Sequence, residues 1–318
     1  MATEGELEPG PATSDRFGSS IGGRIHRFVN DHTLAFMLGP ALVVIVAIFI
    51  YPVLFLFYQS LILTVPGLPS QFAGLENYMT MLQSGRFWTF LEQTLIYSTG
   101  SLIITVVSGL TIALGINQVS RKWLRNTYST LLMLAWAIPI AVVALIWRQI
   151  LLGTEFGALN MLLMNLGLVS SPISFLANPD LALIIVLLVD AWARMPFAMV
   201  VFLAGLQSIP QHLYDAAYVD GATTFQTFRA VTLPRLRPYF AIVGLITWMF
   251  AFRAFAIIFP MTNGGPGSRT TVLSIHIYRK GMVNLNFGYA AAVAVFLVLV
   301  TVVVAIGYVT QIIGSIDQ

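Results

Sequence analysis

The sequence predicts an all-α membrane protein built from six transmembrane helices. Three observations carry that reading. The 318 residues are 58% apolar and only 9% charged, with a mean hydropathy of +0.85, far outside the range of soluble domains. Six apolar runs each reach the roughly 20 residues that a helix needs to cross a hydrocarbon core. Between the fourth and fifth runs lies one long, polar, strongly patterned stretch, Tyr214–Pro238.

In chain order, residues 1–33 come first and are rich in Gly, Ser, Pro and Glu. They read as a flexible tail that ends in a short basic helix around Arg24–Asn30. The tail is too polar, and the apolar run after it too long, for a cleaved signal peptide. Residues 34–318 form one transmembrane domain. Its spans are expected near residues 34–61, 95–116, 129–151, 181–206, 239–259 and 289–313.

Lys and Arg set the orientation. Arg16, Arg24, Arg27, Arg121, Lys122, Arg125, Arg229, Arg235 and Arg237 fall on one side of an alternating six-span chain, and that side is the cytoplasm. Arg86, Arg269, Arg279 and Lys280 fall on the other, so nine basic residues lie inside against four outside. Both termini and the connection 207–238 are then cytoplasmic.

That connection predicts a helix-turn-helix knob. Gly221 suits the left-handed turn that closes a short helix. Thr223 and Gln226 have the spacing of a capping box. Leu213, Ala216 and Ala217 fall on one face of the first helix, and Phe225, Phe228 and Val231 on one face of the second. Pro234 is expected to stop the second helix and Pro238 to start the next span. Small residues on the first face let a partner's backbone come close, so the knob reads as a docking plug.

Charges inside an apolar span need a partner, water or a ligand. Arg148, Asp190, Arg194 and Arg253 are such charges. Asp190 and Arg194 stand i,i+4 with the acid first, the favourable order for a pair, and Trp192 between them points to another face. Pro196 allows a kink and a broken span near a site. Asp190, Arg194 and Arg253 can hydrogen-bond hydroxyl groups, while Trp192, Phe197, Phe250 and Phe252 offer apolar faces. Each has an alternative reading, as a structural ion pair or as packing. Trp136 and Pro139 are further candidates for the same cavity, and Arg148 is expected to snorkel outward. Asn77, Tyr78, Trp88 and Asn160 either anchor helix ends or meet a partner at the outer surface, where Gly264, Gly265 and Pro266 force a tight turn.

Several functions are excluded or unsupported. No cysteine is present, so there is no disulfide framework. No G-x-x-x-x-G-K-[ST] sequence occurs, so the chain carries no ATP-hydrolysing loop of its own. His26, His32, His212 and His276 are scattered, and no metal site is expected. No basic face for nucleic acid is seen, and the net charge is only +3.

Asp215, Ala216, Ala217, Asp220, Gly221, Ala222, Leu233 and Pro234 resemble the EAA loop of the permease subunits of bacterial ABC importers. Asp215 stands where that family usually has Glu. The outer segments Phe72-Ala73-Gly74-Leu75-Glu76-Asn77-Tyr78 and Thr262-Asn263-Gly264-Gly265-Pro266-Gly267 are similar to its sugar-importer branch, of the maltose MalF-like and glycerol-phosphate UgpA-like type. Asp190, Trp192, Pro196 and Phe197 match the branch's motif in the span before the loop. In the later span Phe250, Phe252 and Phe255 match, but Ala251 and Arg253 stand where MalF-like permeases carry amides.

The resemblance implies a type I ABC importer permease in a bacterial inner membrane. It implies four partners: a second homologous permease, a dimer of ATPase subunits, an extracytoplasmic substrate-binding protein or lipoprotein, and membrane lipid. ATP and Mg would act on the partner ATPase subunits, with no cofactor in this chain. Asp215–Pro234 would be the coupling helix, the spans before and after it would line the substrate cavity, and Asn77, Tyr78 and Gly264–Pro266 would face the binding protein. A disaccharide importer of the trehalose type is the resemblance that fits best. An anionic solute such as glycerol phosphate is the alternative. An ion-coupled secondary transporter would call for an internal repeat, and none is seen.

Overall fold

The computed structural model describes residues 33–64 and 67–316. The expected tail and its basic helix around Arg24–Asn30 lie outside the described residues. Helices α1 (Thr33–Ile45) and α2 (Tyr51–Ser60) are joined by a π turn, Val46–Ile50. A two-residue antiparallel ladder follows, Ile62 opposite Phe72 and Leu63 opposite Gln71. Then come α3 (Glu76–Gln83), α4 (Gly85–Asn117), α5 (Lys122–Ala137), α6 (Ile140–Ile150), α7 (Ala158–Asn165) and α8 (Ala182–Ser208). Next are α9 (Gln211–Val219), α10 (Thr224–Thr227), α11 (Leu233–Arg235), α12 (Arg237–Phe252), α13 (Ile258–Thr262), α14 (Leu273–Tyr278) and α15 (Phe287–Ile316).

Two units are distinct. Among the described residues, those up to Leu56 form one and those from Phe57 onward the other, which contains every site described below. In the larger unit α4 packs along α8, and α12 packs against both. Gly109 makes the first contact possible, because a Cβ there would come within 2.6 Å of the Ala198 Cβ. Without a hydrophobic drive between helices in lipid, such small-residue contacts let backbones approach and gain dispersion. Three buried clusters fill the interior, centred on Tyr97 and Val186, on Phe87 and Phe252, and on Met199 and Phe202.

A helix lies over each of the six predicted spans, but they are not six uniform rods. Among the described residues four helices are long and apolar enough to cross a membrane: Leu38–Ser60, Gly85–Asn117, Ala182–Ser208 and Phe287–Thr310. The expected span 129–151 is instead α5 and α6, bent by 91°. Ile138 is forced extended by the proline after it, and Pro139 has no N–H to continue the ladder. Its carbonyl then starts the new helix by accepting from the Val142 and Val143 amides at 2.8 and 3.1 Å. The expected span 239–259 is also corrected. Its helix, α12, has 16 residues and ends at Phe252, before an irregular stretch that precedes α13. Conversely, α8 runs through Pro196 without a break.

Candidate functional site

Two backbone interruptions meet at one cavity of about 480 Å³. One wall is the α5–α6 break, Trp136 to Ile140; another is the irregular stretch Arg253 to Ile257; α8 and α12 close the rest. Non-helical backbone at membrane depth is tolerated where it lines a cavity or is buried in protein. Both breaks therefore have a physical reason to sit here.

Arg194 and Phe197 come from α8, Phe250 from α12, and Arg253 from the residue after it. Trp136 stacks with Phe197 at 6.2 Å and 23°. The Arg194 guanidinium lies 5.2 Å over the Phe250 ring. Its Nε donates to both Asp190 oxygens at 3.0 and 2.9 Å, and its Nη2 lies 2.8 Å from Asp190 Oδ1. Ser101 Oγ donates to Asp190 Oδ2 at 2.7 Å. The carboxylate is fully buried, so these donors replace the water it has lost. Arg194 is thus an oriented, charge-balanced group in the wall. Arg253 is exposed, donates from Nε to the Met249 carbonyl at 3.3 Å, and has no carboxylate partner among the described residues. Among the described residues no Asp or Glu lines the cavity. The chamber offers aromatic faces, guanidinium donors and one uncompensated positive charge, a set suited to a hydroxylated or anionic solute.

Not every expected cavity residue is in it. Phe252 is fully buried in the core, stacked on Trp248 at 4.5 Å. Phe250, two residues earlier, takes the cavity, because helical residues two apart point to nearly opposite faces, about 200° around the axis. Trp192 packs edge-on against Trp147 at 5.4 Å and lies outside the lining. Asp190 sits behind Arg194 instead of facing the cavity. Sequence reasoning missed Ser101, and with it the fully buried row Tyr97, Ser101 and Thr105 on one face of α4. Their i, i+4, i+8 spacing in an apolar span was a signal that an interior polar seam was present.

The second feature is the knob. The α9 helix ends in a Schellman closure: the Ala222 amide donates to the Ala217 carbonyl at 3.0 Å and the Gly221 amide to the Tyr218 carbonyl at 3.0 Å. Gly221 takes φ +72°, a conformation that L side chains resist. Thr223 and Gln226 form the reciprocal capping box, with N···O distances of 2.8 and 3.3 Å. Asp215, Ala216, Asp220 and Leu233 are exposed, while Ala217, Ala222 and Pro234 are half-buried. Tyr218, Val219 and Phe225 are 84, 83 and 71% exposed, a concentration of large apolar surface with no cover among the described residues.

Two local expectations fail. Phe225 does not share the half-buried face of Phe228 and Val231: it stands exposed in α10, ahead of the π turn Phe228–Thr232 that carries the other two. Pro234 does not end the helical path, which carries on to Arg235 before Leu236 turns it into α12.

At the opposite end, the surface candidates are mostly internal fasteners. Asn77 is buried and donates to the Ser60 and Ile62 carbonyls, both at 2.9 Å. Tyr78 OH lies 2.6 Å from Ser60 Oγ. Asn160 is buried too, bonded to Leu152 and twice to Ile173. Gly264 is buried, and Gly265 and Pro266 are half-buried, under hydroxyl bonds from Thr271 and Thr270. Arg148 is exposed and donates to the Pro260 carbonyl at 3.2 Å. Beside this loop His276 is buried against Phe90, with Nε2 3.4 Å from Tyr289 OH. Burial, then Lys280, Arg279 and Arg86, lower its pKa to about 4.

Comparison with known proteins gives consistent results. Residues 106–311 match the family described as binding-protein-dependent transport system inner membrane component. The chain is 35% identical to the trehalose/maltose transport system permease protein MalF of Thermococcus litoralis, over 75% of this chain and 80% of that one. It is 34% identical to the sulfoquinovosyl glycerol transport system permease protein SmoG of Agrobacterium fabrum, over 83% and 85%. It is 30% identical to the sn-glycerol-3-phosphate transport system permease protein UgpA of Rhizobium meliloti, over 80% and 86%. Among solved structures it superposes on a bacterial ABC transporter involved in the import of the acidic polysaccharide alginate, with TM-score 0.76, 27% identity, and 91% and 98% of the chains covered.

Proposed function

Since the chain belongs to the family of binding-protein-dependent transport system inner membrane components, we propose that it is one half of the pore of an ATP-driven sugar importer. A second permease completes the pore, an ATPase dimer grips the knob on the cytoplasmic side, and an external binding protein delivers the solute. ATP and Mg act on the ATPase subunits. Closure of that dimer pushes on Asp215–Pro234 and rocks the spans between outward and inward states.

The observation that carries this reading is the cavity between the two broken helices, with Arg194 held by Asp190 over the Phe250 ring. Aromatic faces and fixed donors suit a sugar, whose rings stack and whose hydroxyls accept hydrogen bonds. A disaccharide such as trehalose is the first reading of the substrate, supported by the MalF relative. A second reading, an anionic solute such as glycerol phosphate, is favoured by the unpaired Arg253 and by the UgpA relative.

Uptake into vesicles carrying all four kinds of subunit separates the two. Labelled trehalose should enter only with ATP, and excess glycerol phosphate should not compete. The reverse pattern would assign the anionic solute. Uptake driven by an ion gradient without ATP would reject both.

A further inference from the structure

A second groove, of about 660 Å³, opens on the side of the bundle. Val106 of α4, Phe240 and Gly244 of α12 and Tyr308 of α15 form its apolar walls, and Leu233 and Arg237 close one end. Gly244 sets its depth: a Cβ there would meet the Tyr308 ring at 3.2 Å. Ile103 and Val107, which also line it, are 56 and 59% exposed, so the groove is open sideways at the level of the spans.

Its polarity is one-ended. Among the described residues no Asp or Glu lines it, and Arg237 is exposed and makes no side-chain hydrogen bond or ion pair. Arg237 also starts α12 directly after the knob. On the reading that puts the knob at the cytoplasmic face, this guanidinium stands where inner-leaflet headgroups lie, and the groove runs from it toward mid-membrane.

We propose that this groove is a binding site for an anionic phospholipid, its phosphate on Arg237 and one acyl chain along Phe240, Gly244 and Val106. An amphiphile with one anionic end and an apolar tail matches the lining at both ends. Basic pockets between transmembrane helices on the cytoplasmic side select anionic headgroups by charge. A polypeptide helix would cover the apolar wall but would leave the guanidinium without an anion.

The test is native mass spectrometry of the full-length chain with its co-purifying subunits, offered equal phosphatidylglycerol and phosphatidylcholine. Unaltered protein should retain phosphatidylglycerol by about five-fold, the worth of one basic group near an anionic bilayer surface. Arg237→Gln should remove that preference and Arg237→Lys should keep it. A photo-cross-linker replacing Ala241, on the groove floor, should label lipid. Equal retention of both lipids by unaltered protein would overturn the proposal. So would an unchanged preference in Arg237→Gln, or cross-links from position 241 to another protein chain. These readouts are independent of uptake, so a failed transport assay counts against the importer reading and leaves this one standing.

Discussion

Asp190 decides the chemistry of the cavity without facing it. It is fully buried and holds Arg194 by three short contacts, with Ser101 on its other side. Breaking a buried pair leaves an uncompensated charge, at about 3–5 kcal/mol. Asp190→Ala should therefore lower the thermal midpoint of the purified complex sharply, while the double change Asp190→Leu with Arg194→Met should recover most of the loss. A small effect of the single change would mean that the charge is solvated. His276 gives a second residue-scale test. Its folded pKa of about 4 lies below the ordinary 6.5, so protonation is easier in the unfolded chain. That stability is complete above pH 6.5 and lost as pH falls from 6.5 to 4, by up to roughly 3 kcal/mol. Melting curves at pH 7.5 and 4.5 should differ by much less in His276→Gln. The Asp190–Arg194 pair was legible from its i,i+4 spacing. The pairing of Ser101 with Asp190 was not, because 89 residues separate the two and only helix packing brings them together.

Among the elements, short motifs that specify their own backbone were the most legible. Gly221 and the Thr223–Gln226 box act within one turn of chain, and both geometries were readable from spacing alone. Thr223→Ala should cost about 1 kcal/mol, read as increased amide exchange across α9 and α10. The π turn after α10 was hidden, because composition does not record an extra residue in a helical turn. The break at Pro139 had a local cause in the proline, yet apolar length pointed to one continuous span. The end of α12 at Phe252 had no such marker, and of the two phenylalanines expected in the cavity, Phe250 and Phe252, only Phe250 lines it. Pro139→Ala removes the imposed break and should let α5 and α6 straighten toward each other. Uptake should then fall well below that of the unaltered protein while assembly persists; full uptake would show that the bend does not shape the cavity.

At the scale of the molecule, hydropathy announced the membrane class but not how six apolar runs share the work. Some runs cross as full rods, one is bent by 91°, and one stops short. The interruptions converge on a cavity, and from α8, which lines that cavity, the chain runs directly into the knob. Tyr218, Val219 and Phe225 stand bare on that knob, where a motor subunit would cover them. Val219→Asp should therefore uncouple ATP-driven uptake without altering assembly of the two permeases, since its side chain is 83% exposed and supports nothing among the described residues. The chain has no native cysteine, so Val219→Cys supplies its only thiol. Thiol cross-linking from that position in the assembled complex measures the central claim directly. We predict a cross-link to an ATPase subunit whose yield changes when ATP is added. Cross-links that reach no other protein, or a complex that imports at full rate without the ATPase, would contradict it.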